Sequence, residues 1–88
     1  MTPQRLAQIE HAEQAVRSLG FTDCRVRHHG QVARVELPAD DLARAVSAPV
    51  RDALLGAVRD AGFRFVAVDL GGIQSGAFAL SLLEVRRG

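Results

Sequence analysis

Asp23-Cys-Arg-Val-Arg-His-His-Gly-Gln-Val-Ala-Arg-Val-Glu36 is the stretch whose reading decides the fold. Polar and apolar residues alternate on both sides of one glycine, Gly30, the pattern of a two-stranded antiparallel hairpin. On the first strand Cys24, Val26 and His28 share one face, while Asp23, Arg25, Arg27 and His29 share the other. On the second strand Ala33, Val35 and Leu37 point one way, and Val32, Arg34 and Glu36 the other. A loop at Gly30-Gln31 sets Arg25 opposite Glu36 and Arg27 opposite Arg34. A loop at His29-Gly30 instead sets Arg25 opposite Arg34 and Asp23 opposite Glu36. Those are two like-charge pairs, so the first register is expected. Either way one face is apolar and the other carries three arginines and at least one carboxylate. The charged face is the candidate binding surface; no complete active site can be assembled and no catalytic residue is assigned.

Upstream, Thr2-Pro3 reads as an N-cap followed by proline at the first helical position. Leu6, Ile9, Ala12, Val16 and Leu19 then fall on one stripe at helical spacing, and Gly20 supplies the stop. Glu13 projects at the edge of that stripe. A carboxylate leaning toward a core needs a cation, which the hairpin arginines can supply, or it snorkels to water. Downstream, Pro38 ends the second strand. Asp40 or Asp41 can cap a short turn through Leu42, Ala45 and Val46. Ser47-Ala48-Pro49 restarts a helix whose buried stripe is Val50, Leu54, Ala57 or Val58, and Ala61, with Gly62 as its stop.

Residues 63–70, Phe-Arg-Phe-Val-Ala-Val-Asp-Leu, form the most apolar stretch and read as a buried central strand. Gly20-Phe21 before one strand and Gly62-Phe63 before another look like one helix-to-strand device used twice. Asp69 interrupts the apolar run at the strand's C-terminal end, where ligand-binding residues gather in open sheets. Gly71-Gly72-Ile73-Gln74-Ser75-Gly76 follows, with backbone amides available for an anion nest, so Ser75 and Gly76 join Asp69 as candidate loop contacts. The spacing lacks the lysine of a Walker loop. Residues 77–85 read equally as an edge strand or a closing helix. The expected fold is a single α+β domain over residues 1–88: helix, hairpin, broken helix, strand and a short last element. Its sheet has three to four strands, with helices on one face.

Composition narrows the function. The 88 residues are 48% hydrophobic and carry a formal net charge of +1. So small an excess argues against bulk attraction to nucleic acid or membrane. Without Trp or Tyr, the aromatic core is expected from Phe21, Phe63, Phe65 and Phe78, leaving no exposed ring to stack bases. Cys24 is the single cysteine and falls on the apolar strand face, so a small buried hydrophobe and a reducing compartment are expected. No apolar run approaches the roughly 20 residues needed to span a bilayer, and the chain is expected to be cytoplasmic. His28 and His29 are adjacent on a strand and point to opposite faces, so no metal site is expected there.

Arg25-Val-Arg27-His28-His29-Gly30, Ala33-Arg34-Val35-Glu36, Gly62-Phe63-Arg64-Phe65-Val66 and Val68-Asp69-Leu70 with Gly72 and Ser75-Gly76 carry a resemblance. In order and spacing they resemble the C-terminal domain of the LarE-type ATP-dependent sacrificial sulfur transferases, over roughly residues 10 to 76. In that family an N-terminal PP-loop domain, with a Ser-Gly-Gly-x-Asp-Ser signature, adenylates a carboxylate of a pyridinium mononucleotide. A cysteine then donates sulfur, on the way to the nickel-pincer nucleotide cofactor of lactate racemase. The resemblance implies that Arg25 and Arg27, with Arg34 beside them, hold substrate phosphate or carboxylate, and that Glu13 and Glu36 are the pocket's acids. Guanidinium forks suit phosphate, and neighbouring carboxylates orient them.

There are departures. The PP-loop signature is not in this sequence, so ATP and Mg²⁺ are expected on a PP-loop partner and no cofactor on this chain alone. Cys24 lies within the hairpin strand, not upstream of the first helix where the family's donor cysteine sits. The loop lacks the aromatic and the arginine that usually precede Ser-Gly in the family. The leading expectation is therefore the substrate-binding part of a split sulfur transferase, with a small anionic nucleotide as ligand. The alternative is a non-catalytic, homo-oligomeric interaction or anion-binding module, in which Arg27 and Arg34 pair with acids of a neighbouring copy.

Overall fold

Thr2 begins the described structure, a computed structural model in which residues 2–73 are described. Its hydroxyl accepts from the Arg5 N–H at 3.2 Å, and Pro3 occupies the first turn of α1 (Pro3–Ser18). The helix thus starts as the capping pattern requires. Ala12 and Val16 are fully buried on its inner stripe, with Ile9 and Leu19 packed at the margins. Leu6, at the outer end of the stripe, is half exposed.

Gly20 and Gly62 do the same job at the ends of two helices, with φ of +100° and +108°. L-residues with a Cβ rarely adopt that left-handed region, so each glycine turns the chain sharply off its helix. The next residues, Phe21 and Phe63, drop into the core at 0% and 2% exposure. A strand follows each.

The hairpin forms in the expected register. Strand β1 (Arg25–His29) pairs antiparallel with β2 (Val32–Glu36), Arg25 opposite Glu36 and Arg27 opposite Arg34. After β2 the chain makes a 3₁₀ turn (Ala39–Asp41), the short α2 (Leu42–Ala45) and α3 (Val50–Asp60). Neither Asp40 nor Asp41 caps this break through a side-chain hydrogen bond; Asp41 instead sits 3.7 Å from Arg44. On α3 the buried positions are Leu54 and Val58, which settles the open choice at 57/58 for the valine.

Strand β3 (Phe65–Val68) returns parallel to β2, giving a mixed sheet in the order β1-β2-β3. Among the described residues the middle place belongs to β2, not to the apolar stretch expected there. Ala33, Val35 and Leu37 are accordingly fully buried, whereas Val66 and Val68 are half-buried and Phe65 is half exposed. An apolar run reports burial on one face and does not fix strand order. Helices α1 and α3 pack on the apolar face of the sheet. The fold is α+β as expected. The last element, over 77–85, lies outside the described residues, as do Phe78, Ser75 and Gly76.

Candidate functional site: the charged sheet face

The face opposite the helices carries Arg25 and Arg27 from β1, Arg34 and Glu36 from β2, and Asp69 just past β3. Alternation alone puts them there. A hollow of about 310 Å³ opens among them, lined by Arg25, Arg27, Glu36, Asp69, Gly71 and Gly72. Four of the sequence-derived candidates therefore converge on one place.

Charge pairing within the cluster is uneven. Glu36 is only 12% exposed and accepts from Arg27 Nε at 3.3 Å and from Arg34 Nη2 at 3.1 Å. Arg34 Nη1 also lies 3.9 Å from Asp69 Oδ2. The other Asp69 oxygen accepts the Gly71 N–H at 2.8 Å, and the Gly72 N–H turns back to the Asp69 carbonyl. The two glycine amides are thus engaged within the turn, and the rest of the loop that could form an anion nest, from residue 74 on, lies outside the described residues. Arg25 makes no ion pair among the described residues. Both Arg25 and Arg27 line the hollow, and the terminal nitrogens of Arg27 make no hydrogen bond among the described residues.

Glu13 is placed differently. It lies outside this hollow and shares with Arg27 and Arg34 a second one, of about 600 Å³, along the free side of β1. Its Oε2 accepts the Val26 N–H at 2.9 Å. Neither an arginine nor bulk water is its main partner. The backbone of β1 is.

His28 and His29 part company. His28 turns inward, Nε2 3.2 Å from Gln8 Oε1 and its ring 5.2 Å from that of Phe63; His29 is exposed. Among the described residues no group of three or more His, Cys, Asp or Glu side chains could hold a metal ion. Cys24 is half-buried, its Sγ 3.5 Å from the Glu13 carbonyl. Burial pushes its thiol pKa up, against the opposing pull of the Arg17 cation. Phe65 breaks an expectation: at 50% exposure it leaves the core and lies on the sheet face beside the Arg64 guanidinium.

A third concavity was not legible in the sequence. It measures about 380 Å³ and is apolar, between α2, α3 and β3, with Val46, Leu54, Leu55, Val68 and Leu70 in its walls. These residues come from three separated segments, and no local pattern joins them.

Two relatives carry the match between this arrangement and known proteins. The pyridinium-3,5-bisthiocarboxylic acid mononucleotide synthase of Lactiplantibacillus plantarum is 40% identical over 76 residues, 86% of this chain. The chain is LarE-like. An uncharacterized protein of Synechocystis sp. is 34% identical over the same length. The LarE-like chain spans 27% and 28% of the length of these two relatives. No protein-family model matches it.

Proposed function

We propose that this LarE-like chain supplies the anion-binding part of a sulfur transferase acting on a pyridinium mononucleotide. One observation carries the reading. Arg25 and Arg27, which bear the family resemblance, open into a polar hollow bordered by Glu36 and Asp69. Two guanidiniums one residue apart on a strand can grip a phosphate or carboxylate through charge-assisted bonds. Glu36 holds Arg27 through its Nε and so leaves the terminal nitrogens for a ligand. The similarity to a pyridinium-3,5-bisthiocarboxylic acid mononucleotide synthase motivates the ligand class.

The activation step belongs, in this proposal, to a PP-loop ATPase subunit that carries ATP and Mg²⁺. The LarE-like chain binds and orients the nucleotide, and no bond-making step is assigned to its residues. A PP-loop protein is expected to co-purify with it, and repeated failure to recover one would argue against a split enzyme.

The binding claim is tested by titrating the chain with a pyridinium mononucleotide and following the heat of binding. The wild type is expected to bind. Arg25→Ala with Arg27→Ala should weaken binding by at least about tenfold, since each charged hydrogen bond contributes roughly 1.5–3 kcal/mol. Equal affinity in wild type and double variant would remove the proposal.

A further inference from the structure

The three arginines of the charged face do not share one task. Each guanidinium has one Nε–H and two terminal nitrogens, arranged in a rigid fork. Arg34 turns both ends of its fork to carboxylates and leaves Nε without a hydrogen-bond partner. Nη2 donates to Glu36 at 3.1 Å, Nη1 faces Asp69 at 3.9 Å, and Nε is buried from solvent. Arg34 also does not line the hollow, whereas both carboxylates it touches do. It stands between the two acids, on the side of the second hollow along β1.

The contacts run as a chain: Arg27 Nε to Glu36, Glu36 to Arg34, Arg34 to Asp69, and Asp69 to the Gly71 N–H. Removing the middle link would let Glu36 and Asp69 move independently. Glu36 would then hold Arg27 with one anchor fewer, and the Arg27 fork would lose its fixed aim.

We infer that Arg34 is a positioning residue for the anion site, bracing Glu36 and Asp69 without touching the ligand, while Arg25 and Arg27 make the contacts. This rests on the anion-binding reading above and gives Arg34 a role other than the phosphate contact expected from the sequence. The distinction has a chemical consequence. Lysine is a capable phosphate binder but gathers its donors on one nitrogen and lacks the rigid two-ended fork that reaches Glu36 and Asp69 together. Arg34→Lys therefore keeps the charge and removes the brace.

The test follows arginine Nε–H resonances during a titration with inorganic phosphate. Those of Arg25 and Arg27 are expected to shift saturably, and that of Arg34 to stay in place. Arg34→Lys should bind phosphate about three- to tenfold more weakly, the loss expected when one charge-assisted bond no longer orients its neighbour. In the same variant, without phosphate, Arg27 Nε–H should exchange with solvent several-fold faster because Glu36 no longer holds it as firmly. A saturable Arg34 shift matching that of Arg25, or unchanged affinity in Arg34→Lys, would overturn the assignment. Should no resonance respond to phosphate, the anion-binding reading falls by itself. The Arg27 exchange rate then decides the brace alone: faster in Arg34→Lys supports it, unchanged refutes it.

Discussion

Glu13 sits at the margin of the apolar stripe of α1, where a carboxylate without a partner would be costly. Its acceptance of the Val26 N–H satisfies a strand donor that β2 cannot reach. Glu13→Ala should lower stability by about 1–3 kcal/mol in urea unfolding, the cost of leaving that amide half-buried and unpaired. Glu13→Gln keeps an acceptor oxygen and should cost less. Cys24 makes a second residue-level prediction. Burial raises its thiol pKa in the folded state, so the folded chain holds that proton more tightly than the unfolded one. Its contribution to stability is complete below the unfolded thiol value of about 8.5. It is lost as the pH rises through the folded value. Cys24→Ala should flatten this alkaline decline in a series of unfolding curves. Wild-type Cys24 should also react with a thiol reagent at pH 8 well below the rate of an exposed cysteine.

The hairpin is the element most fully written in the sequence. Charge alone chose its register, because only one loop avoids two like-charge pairs, and the observed partners are the expected ones. The two Gly-Phe junctions were equally readable: a helix period ends, a glycine turns the chain, and an aromatic fills the space below. Gly62→Ala should cost about 1–2 kcal/mol by thermal or chemical unfolding, from forcing a Cβ to φ +108°. The added methyl meets only the flexible end of Gln8, so backbone strain and not collision sets that cost. Phe21→Ala should be worse, at about 3–5 kcal/mol, because a fully buried ring leaves a cavity. The cap at Asp40–Asp41 was misread because capping chemistry shows which residues can cap, not whether the turn brings them into line.

Across the whole molecule, what stayed hidden was pairing between distant segments. Nothing local told β3 that it would run beside β2, or Arg34 that it would bridge two acids. The candidate site was legible as a list of residues and illegible as a division of labour among them. Strand order has a measurable signature: amides of β2, flanked on both sides, should exchange slowest in the sheet. Arg27 and Arg34 both pair with Glu36 inside the chain, so each has an acid partner without a neighbouring copy. Light scattering of the Arg25→Ala, Arg27→Ala chain should accordingly give the same mass as the wild type. Glu13 bears on assembly in another way. A foreign strand that tried to extend the sheet beyond β1 would have to evict a carboxylate from the very amide it needs. Sheets that guard an open side with a charge resist growing into fibrils, and this chain does so with the one acid that looked misplaced on its first helix.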